Sequence, residues 1–158
     1  MSGDSSSEQS SHIDHVNIVV EGLEPATDFF ADLGFEVKAG GSLTGDWINT
    51  LVGLDGVEAE FVALALPLGQ TVLELLKFKN PTGGVDPNIG KANQIGLRHV
   101  AFAITGIDGW YQRLQDMEVE CLSPVQDVPN YRGKRMFYFR GPEDILLELA
   151  EYPRNSQK

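Results

Sequence analysis

With 158 residues, 42% of them hydrophobic, the chain is long enough for one domain of ordinary size or two small modules sharing a core. A formal net charge of −11 excludes a nucleic-acid binder built on phosphate contacts, which need a basic face, and disfavours docking on anionic membranes. No apolar run approaches the length of a bilayer span. The single cysteine, Cys121, excludes an internal disulfide and fits a reducing cytoplasm; in its apolar alternation it reads as a packed small side chain.

The first eleven residues, MSGDSSSEQSS, are polar and low in complexity, without the basic start and apolar stretch of a signal peptide. They read as a disordered tail, and residues 153–158 as a second tail. Between the tails lies an internal repeat. Shifting the chain by 84 positions lays HVNIVVEGL on HVAFAITGI, with Gly22 on Gly106, Phe30 on Leu114 and Phe35 on Val119. Residues 12–152 therefore read as a single domain of two modules, 12–78 and 96–152, joined by a linker at 79–95.

Each module predicts β-α-β-β-β. The first helix opens near Pro25, carries the stripe Ala26, Phe29, Phe30 and Leu33, and stops at Gly34. The second has Asp108 as its expected N-cap and the stripe Trp110, Tyr111, Leu114 and Met117. Strands are expected at 35–38, 58–66 and 71–78, then at 119–122, 135–140 and 145–151. Two segments break the repeat. AGGSLTGDWINTLVGLDG reads as a long loop, with Trp47 pointing to a role over a pocket, and the Gly/Pro/Asn-rich linker reads as a binding loop or a solvated connector.

Four ionisable residues stand inside apolar strand-like runs: His15 in IDHVNIVV, Glu74 in TVLELLKF, His99 in LRHVAFAI and Glu148 in ILLELAEY. The plain reading of each is a hydrogen-bonded core residue or an edge position facing water. Burying an unpaired charge costs several kcal/mol, roughly, so a repeated His, Glu, His, Glu order points to one shared divalent cation. Strand alternation puts His15 with Asn17 and Val19, and His99 with Ala101 and Ala103, where small side chains leave room for a ligand. Twofold-related modules would bring both pairs to one cleft. Two imidazoles and two carboxylates suit Zn²⁺, Ni²⁺, Co²⁺, Fe²⁺ or Mn²⁺, and a position left open for substrate marks a catalytic site.

At these residues the chain resembles the vicinal oxygen chelate superfamily, which includes glyoxalase I, methylmalonyl-CoA epimerase, extradiol dioxygenases and bleomycin-resistance proteins. DHVNIVV, FFADLGFEV, VLELL, RHVAFAI and FRGPEDILLEL carry the resemblance, across about residues 12–152. It implies an α+β fold in which two βαβββ modules form a curved mixed sheet around a central metal cleft. It also implies His15, Glu74, His99 and Glu148 as ligands of one divalent metal ion. The implied activity is that of a metal-dependent isomerase, epimerase or lyase of the glyoxalase type. Such an enzyme abstracts a proton next to a carbonyl, with Glu148 as base and Glu74 on the opposite face.

The epimerase pattern nominates Asp55 or Glu58 as a second acid, against the reading of both as exposed carboxylates. The dioxygenase pattern is broken: Asn130 stands where an acid/base His belongs, and GPED replaces D-P-x-G. Phe78 stands where glyoxalase I carries an Asn, so a glutathione hemithioacetal is not singled out. Lys134 and Arg135 read as steering groups for an anionic substrate or as a solvated strand face. The expected partners are a small molecule with vicinal oxygens and a second copy of the chain as a homodimer, with no nucleic acid and no membrane. The alternative function is a small-molecule-binding resistance-type protein.

Overall fold

The computed structural model describes residues 12–154, so the expected tail at 1–11, and residues 155–158 of the other, lie outside the described residues. The fold is α+β, and the chain divides into two compact units, one up to Gly83 and one from Gly84.

In the first unit the elements are β1 (His15–Val19), α1 (Leu23–Asp32), β2 (Glu36–Thr44), α2 (Asp46–Val52), β3 (Glu58–Ala65) and β4 (Val72–Asn80). They build a four-stranded sheet of order β1-β4-β3-β2, with β1 parallel to β4 and the other pairs antiparallel. The second unit repeats the plan with β5 (His99–Ile104), α3 (Ile107–Asp116), β6 (Gln126–Asp127), β7 (Arg135–Arg140) and β8 (Leu146–Glu151). Its sheet order is β5-β8-β7-β6, again with the outer pair β5/β8 parallel.

Alternation decides which face of each sheet is covered. On β1, Ile18 and the following Val20 are buried, whereas His15, Asn17 and Val19 are exposed. Helix α1 packs on β3 and β4 and buries Ala26 and Phe30 completely or nearly so. Full burial of a Phe side chain such as Phe30 contributes about 1.5–3 kcal/mol. In the second unit α3 packs on β8 and buries Ile107 and Leu114. Each sheet thus places one face under a helix, α1 or α3, while on the other face His15, Asn17 and Val19, and in the second unit His99 and Ala101, are exposed.

Both helices end in the same way. Phe35 N–H donates to Phe30 O at 3.0 Å and Gly34 N–H to Ala31 O at 2.9 Å, the two bonds of a Schellman cap with Gly34 left-handed at φ 95°. Val119 N–H to Leu114 O and Glu118 N–H to Gln115 O, both 2.9 Å, repeat it 84 positions later. There the left-handed residue is Glu118, at φ 58°, which lacks glycine's freedom.

Four local expectations are corrected. The N-cap of α3 is Gly106, not Asp108: the Gly106 N–H is taken by the Glu151 carboxylate, and Asp108 lies inside the first turn facing Arg135. The strand expected at 119–122 shrinks to a single bridge, Cys121 to Phe139, because the chain has just left its left-handed cap; the paired segment follows at β6. Strand β2 continues to Thr44, since its ladder with β3 holds the glycines at 40 and 41 in place. The rest of the supposed loop contains α2, whose Asn49 side chain accepts from Val57 N–H at 2.8 Å.

The linker is mostly exposed but is anchored from Gly84 onward. Arg140 Nη1 donates to Gly90 O at 2.5 Å, and a Cβ at Gly90 would collide with that nitrogen. Half-buried Cys121 has its thiol pushed up by burial, which suits a packed side chain rather than a nucleophile.

The two caps generate a paired test. Glu118→Gly relieves a left-handed side chain and is expected to stabilise the protein by about 0.5–1 kcal/mol, while Gly34→Ala introduces the same strain and costs about as much. Urea midpoints of the two variants moving in opposite directions are the expected result.

Candidate metal centre

The parallel strand pairs set the geometry of the candidate residues. His15 lies opposite Val72 and Asn17 opposite Glu74; in the second unit His99 lies opposite Leu146 and Ala101 opposite Glu148. In both sheets, therefore, a His on the first strand and a Glu on the last strand are diagonal neighbours on the same face. That face is the one opposite α1 in the first unit and opposite α3 in the second.

What fills the intervening position differs. In the second unit Ala101 offers no polar group, and His99 Nε2 stands 3.2 Å from Glu148 Oε2. The Tyr138 ring lies 5.0 Å from the imidazole, and its hydroxyl bonds to Glu148. Burial, then the neighbouring Glu148 charge, pushes the Tyr138 phenol up, so it stays protonated and donates. In the first unit Asn17 Nδ2 donates to Glu74 Oε1 at 2.9 Å. His15 turns to Asp14, whose Oδ2 is 2.7 Å from Nδ1. A carboxylate only accepts, so Nδ1 carries the proton and Nε2 is left for a ligand. The same hydrogen bond lowers the Asp14 carboxyl and raises the His15 imidazole.

The premise of four buried charges is corrected. Glu148 is 4% exposed, but the His15 side chain is 50% exposed, that of His99 37%, and Glu74 is only partly buried. The buried apolar residues beside His15, Ile18 and Val20, lie on the opposite, helix-covered face. Within each unit, taken by itself, the described residues hold no group of three or more His, Cys, Asp or Glu placed to share a cation. Each unit brings together one His and one Glu.

The donor chemistry of those pairs fits a divalent metal. Nitrogen and oxygen ligands bound at about 2.0–2.2 Å, at right to tetrahedral angles, stand roughly 2.8–3.6 Å apart. The His99–Glu148 separation of 3.2 Å falls inside that interval. His15 and Glu74 supply the same two donor types, each held by an outer partner.

The remaining candidates scatter. Asp55 and Glu58 are exposed, Asn130 is an exposed left-handed turn residue, and Trp47 on α2 is 59% exposed. Neither suggested steering cation is free. Arg135 makes two 2.7 Å bonds to Asp108, and Lys134 lies over the Tyr131 and Tyr152 rings. Asp14, Asn17 and Tyr138 stand beside the candidate ligands although none has the burial-against-charge signature that singles out the four. Alternation gives the signal for two of them: Asn17 is two residues from His15, and Tyr138 pairs with Glu148.

The family model of the Glyoxalase/Bleomycin resistance protein/Dioxygenase superfamily matches residues 12–149. The chain belongs to this superfamily. A glyoxalase family protein from Bacillus cereus superposes with a TM-score of 0.84 at 30% identity, over 92% of this chain and 97% of that one. YaeR of Escherichia coli, itself uncharacterized, is 34% identical over 83 residues, which is 52% of this chain and only 60% of YaeR. The fosfomycin resistance protein FosX from Listeria monocytogenes, solved as a mutant with Mn(II) and 1S,2S-dihydroxypropylphosphonic acid, superposes with a TM-score of 0.56 at 17% identity. Its coverage is 89% of this chain and 92% of FosX, and at that identity the likeness concerns fold alone. Superfamily members commonly bind a divalent metal and small molecules. Among the described residues, no helix is long and apolar enough to cross a membrane.

The Arg135–Asp108 bridge gives a pH prediction. Arg135 holds the Asp108 carboxyl below its ordinary range, so the pair contributes stability above that range and loses it as pH falls through the folded-state value. Asp108→Asn is expected to lower the urea midpoint at neutral pH and to match the wild type in strong acid.

Proposed function

We propose that this chain is a metal-dependent isomerase, epimerase or lyase of the glyoxalase type, with His15, Glu74, His99 and Glu148 as ligands of a divalent metal. The observation that carries the reading is the buried Glu148 carboxylate facing His99 Nε2 at ligand spacing. When bound, the cation supplies Lewis-acid stabilisation of negative charge on the substrate oxygens. Glu148 takes the proton from the carbon beside the carbonyl, and its low exposure keeps competing water away. Tyr138 holds that carboxylate in orientation through its protonated hydroxyl. Glu74, held through one oxygen by Asn17, serves the opposite face with the other.

The substrate class is a small molecule with vicinal oxygens. A homodimer and a cytoplasmic location belong to the same proposal, the latter resting on the lone Cys121.

One observation favours a second reading, a metal-free protein that binds and sequesters a small compound: the His99–Glu148 contact is already satisfied without a cation. Metal analysis separates the two. Protein purified without chelators is expected to carry about one equivalent of a transition metal, lost in His99→Ala, as a site with protein ligands requires. With a substrate in hand, Glu148→Gln is expected to abolish deuterium exchange at the acidic carbon while keeping the fold. No metal in either protein, and none taken up on titration, selects the binder.

A further inference from the structure

In the first unit, α2 does not pack on the face that α1 covers. Its buried Ile48 joins a cluster with Val57, Ala59 and Leu76, and Leu43, Phe61 and Phe78 pack against it. Leu76 and Phe78 follow Glu74 on β4 at two-residue steps, and Phe61 pairs with Leu76 across the β3/β4 ladder. By alternation all three share the face of His15 and Glu74. Helix α2 is therefore a wall standing on the ligand-bearing face, one strand row beyond Glu74. The second unit has no helix at the corresponding place, between β6 and β7.

Between Glu74 and that wall the face is apolar: Leu76 is buried under α2, Phe61 is partly buried, and the exposed surface is that of Val19. Val19, paired with Leu76, is 50% exposed although it lies beside a buried leucine. No Lys or Arg of β1, β3 or β4 reaches this stretch. Lys77 and Glu60 pair on the opposite parity, and Lys79 is tied to Glu60 at 2.5 Å. A substrate held by its oxygens at His15 and Glu74 would extend its other end along β4, over Val19 and Phe61, toward α2.

We infer that the substrate carries an uncharged, apolar substituent next to its chelating oxygens, and that Val19, Phe61 and the α2 wall select it. This rests on the metal-centre reading above and deepens it. A phosphate-, peptide- or carboxylate-bearing tail meets hydrocarbon on β1, β3 and β4, with no Lys or Arg of those strands on this face. An alkyl or aryl tail replaces water on Val19 and Phe61.

The probes are alkyl hydroxamates, which present two vicinal oxygens to a metal, from acetohydroxamate to hexanohydroxamate, and a carboxylate-ended hydroxamate of equal length. They are titrated into Mn²⁺-loaded protein by calorimetry. Affinity is expected to rise about three- to fourfold per methylene, the gain for burying a CH₂. The carboxylate-ended probe is expected to lose that gain. Phe61→Ala should flatten the length dependence. Val19→Asp, at an exposed position that leaves the core intact, should do the same and cost the longest probe most. Acetohydroxamate bound without any length dependence, or a length dependence unchanged in both variants, overturns the inference and leaves the metal reading standing. Protein that loads Mn²⁺ but binds no hydroxamate overturns the inference alone, whereas protein that takes up no transition metal removes the metal reading as well.

Discussion

The register of two parallel strand pairs is the constraint on which the rest depends. Opposite Asn17 stands Glu74, and opposite Ala101 stands Glu148; the two His residues fall two positions earlier on the same face. A slip of one residue in either ladder would send Glu to the helix-covered side and break the pair. Nothing in the ligands themselves prevents such a slip. The apolar residues of the other parity do: Ile18 and Val20 in the first unit, Leu147 and Leu149 in the second, all buried. The chemistry-bearing face is thus positioned by the core behind it.

Two copies of one backbone plan then carry unlike surroundings. The position between His and Glu holds Asn17 in one copy and Ala101 in the other. The residue across from Glu is Ala63 beside Glu74 but Tyr138 beside Glu148. These differences follow burial. Glu148 has lost its water and needs both an imidazole and a phenol hydroxyl to offset the cost of desolvation. Glu74 keeps part of its hydration, and one amide donor suffices. Asp14, which orients His15, is likewise replaced by Arg98 at the equivalent place.

Much of this was legible in the chain itself. The repeat, the helix stripes and the Gly34 stop are local signals, each with its own physical cause, and superfamily membership is carried by the same motifs. The burial of the quartet was not legible. An apolar run shows that one face of a strand is buried, but not that the polar residue within it lies on the other. Helix α2 was hidden for a related reason: seven residues after a Gly-Gly strand give too short a period to outweigh the loop-like glycines. Its one buried residue, Ile48, has partners on β3 and β4 that no local window contains. Asp108 had the right residue type for a cap, yet a bidentate arginine 27 positions away outcompetes the helix N-terminus for its carboxylate.

A superfamily that shares a fold does not share a reaction, so specificity has to be sought where this chain departs from its own repeat. The ligand types do not differ between the halves; each offers one imidazole and one carboxylate. The departures are the Asn17/Ala101 and Ala63/Tyr138 exchanges and the insertion of α2. The first two act within reach of the carboxylates and bear on how a proton is moved. The third acts a strand row away, where no proton is transferred, and changes only what a bound molecule touches. Under the proposed function, that division of labour assigns Tyr138 and Asn17 to turnover, and Val19, Phe61 and α2 to the choice of molecule turned over.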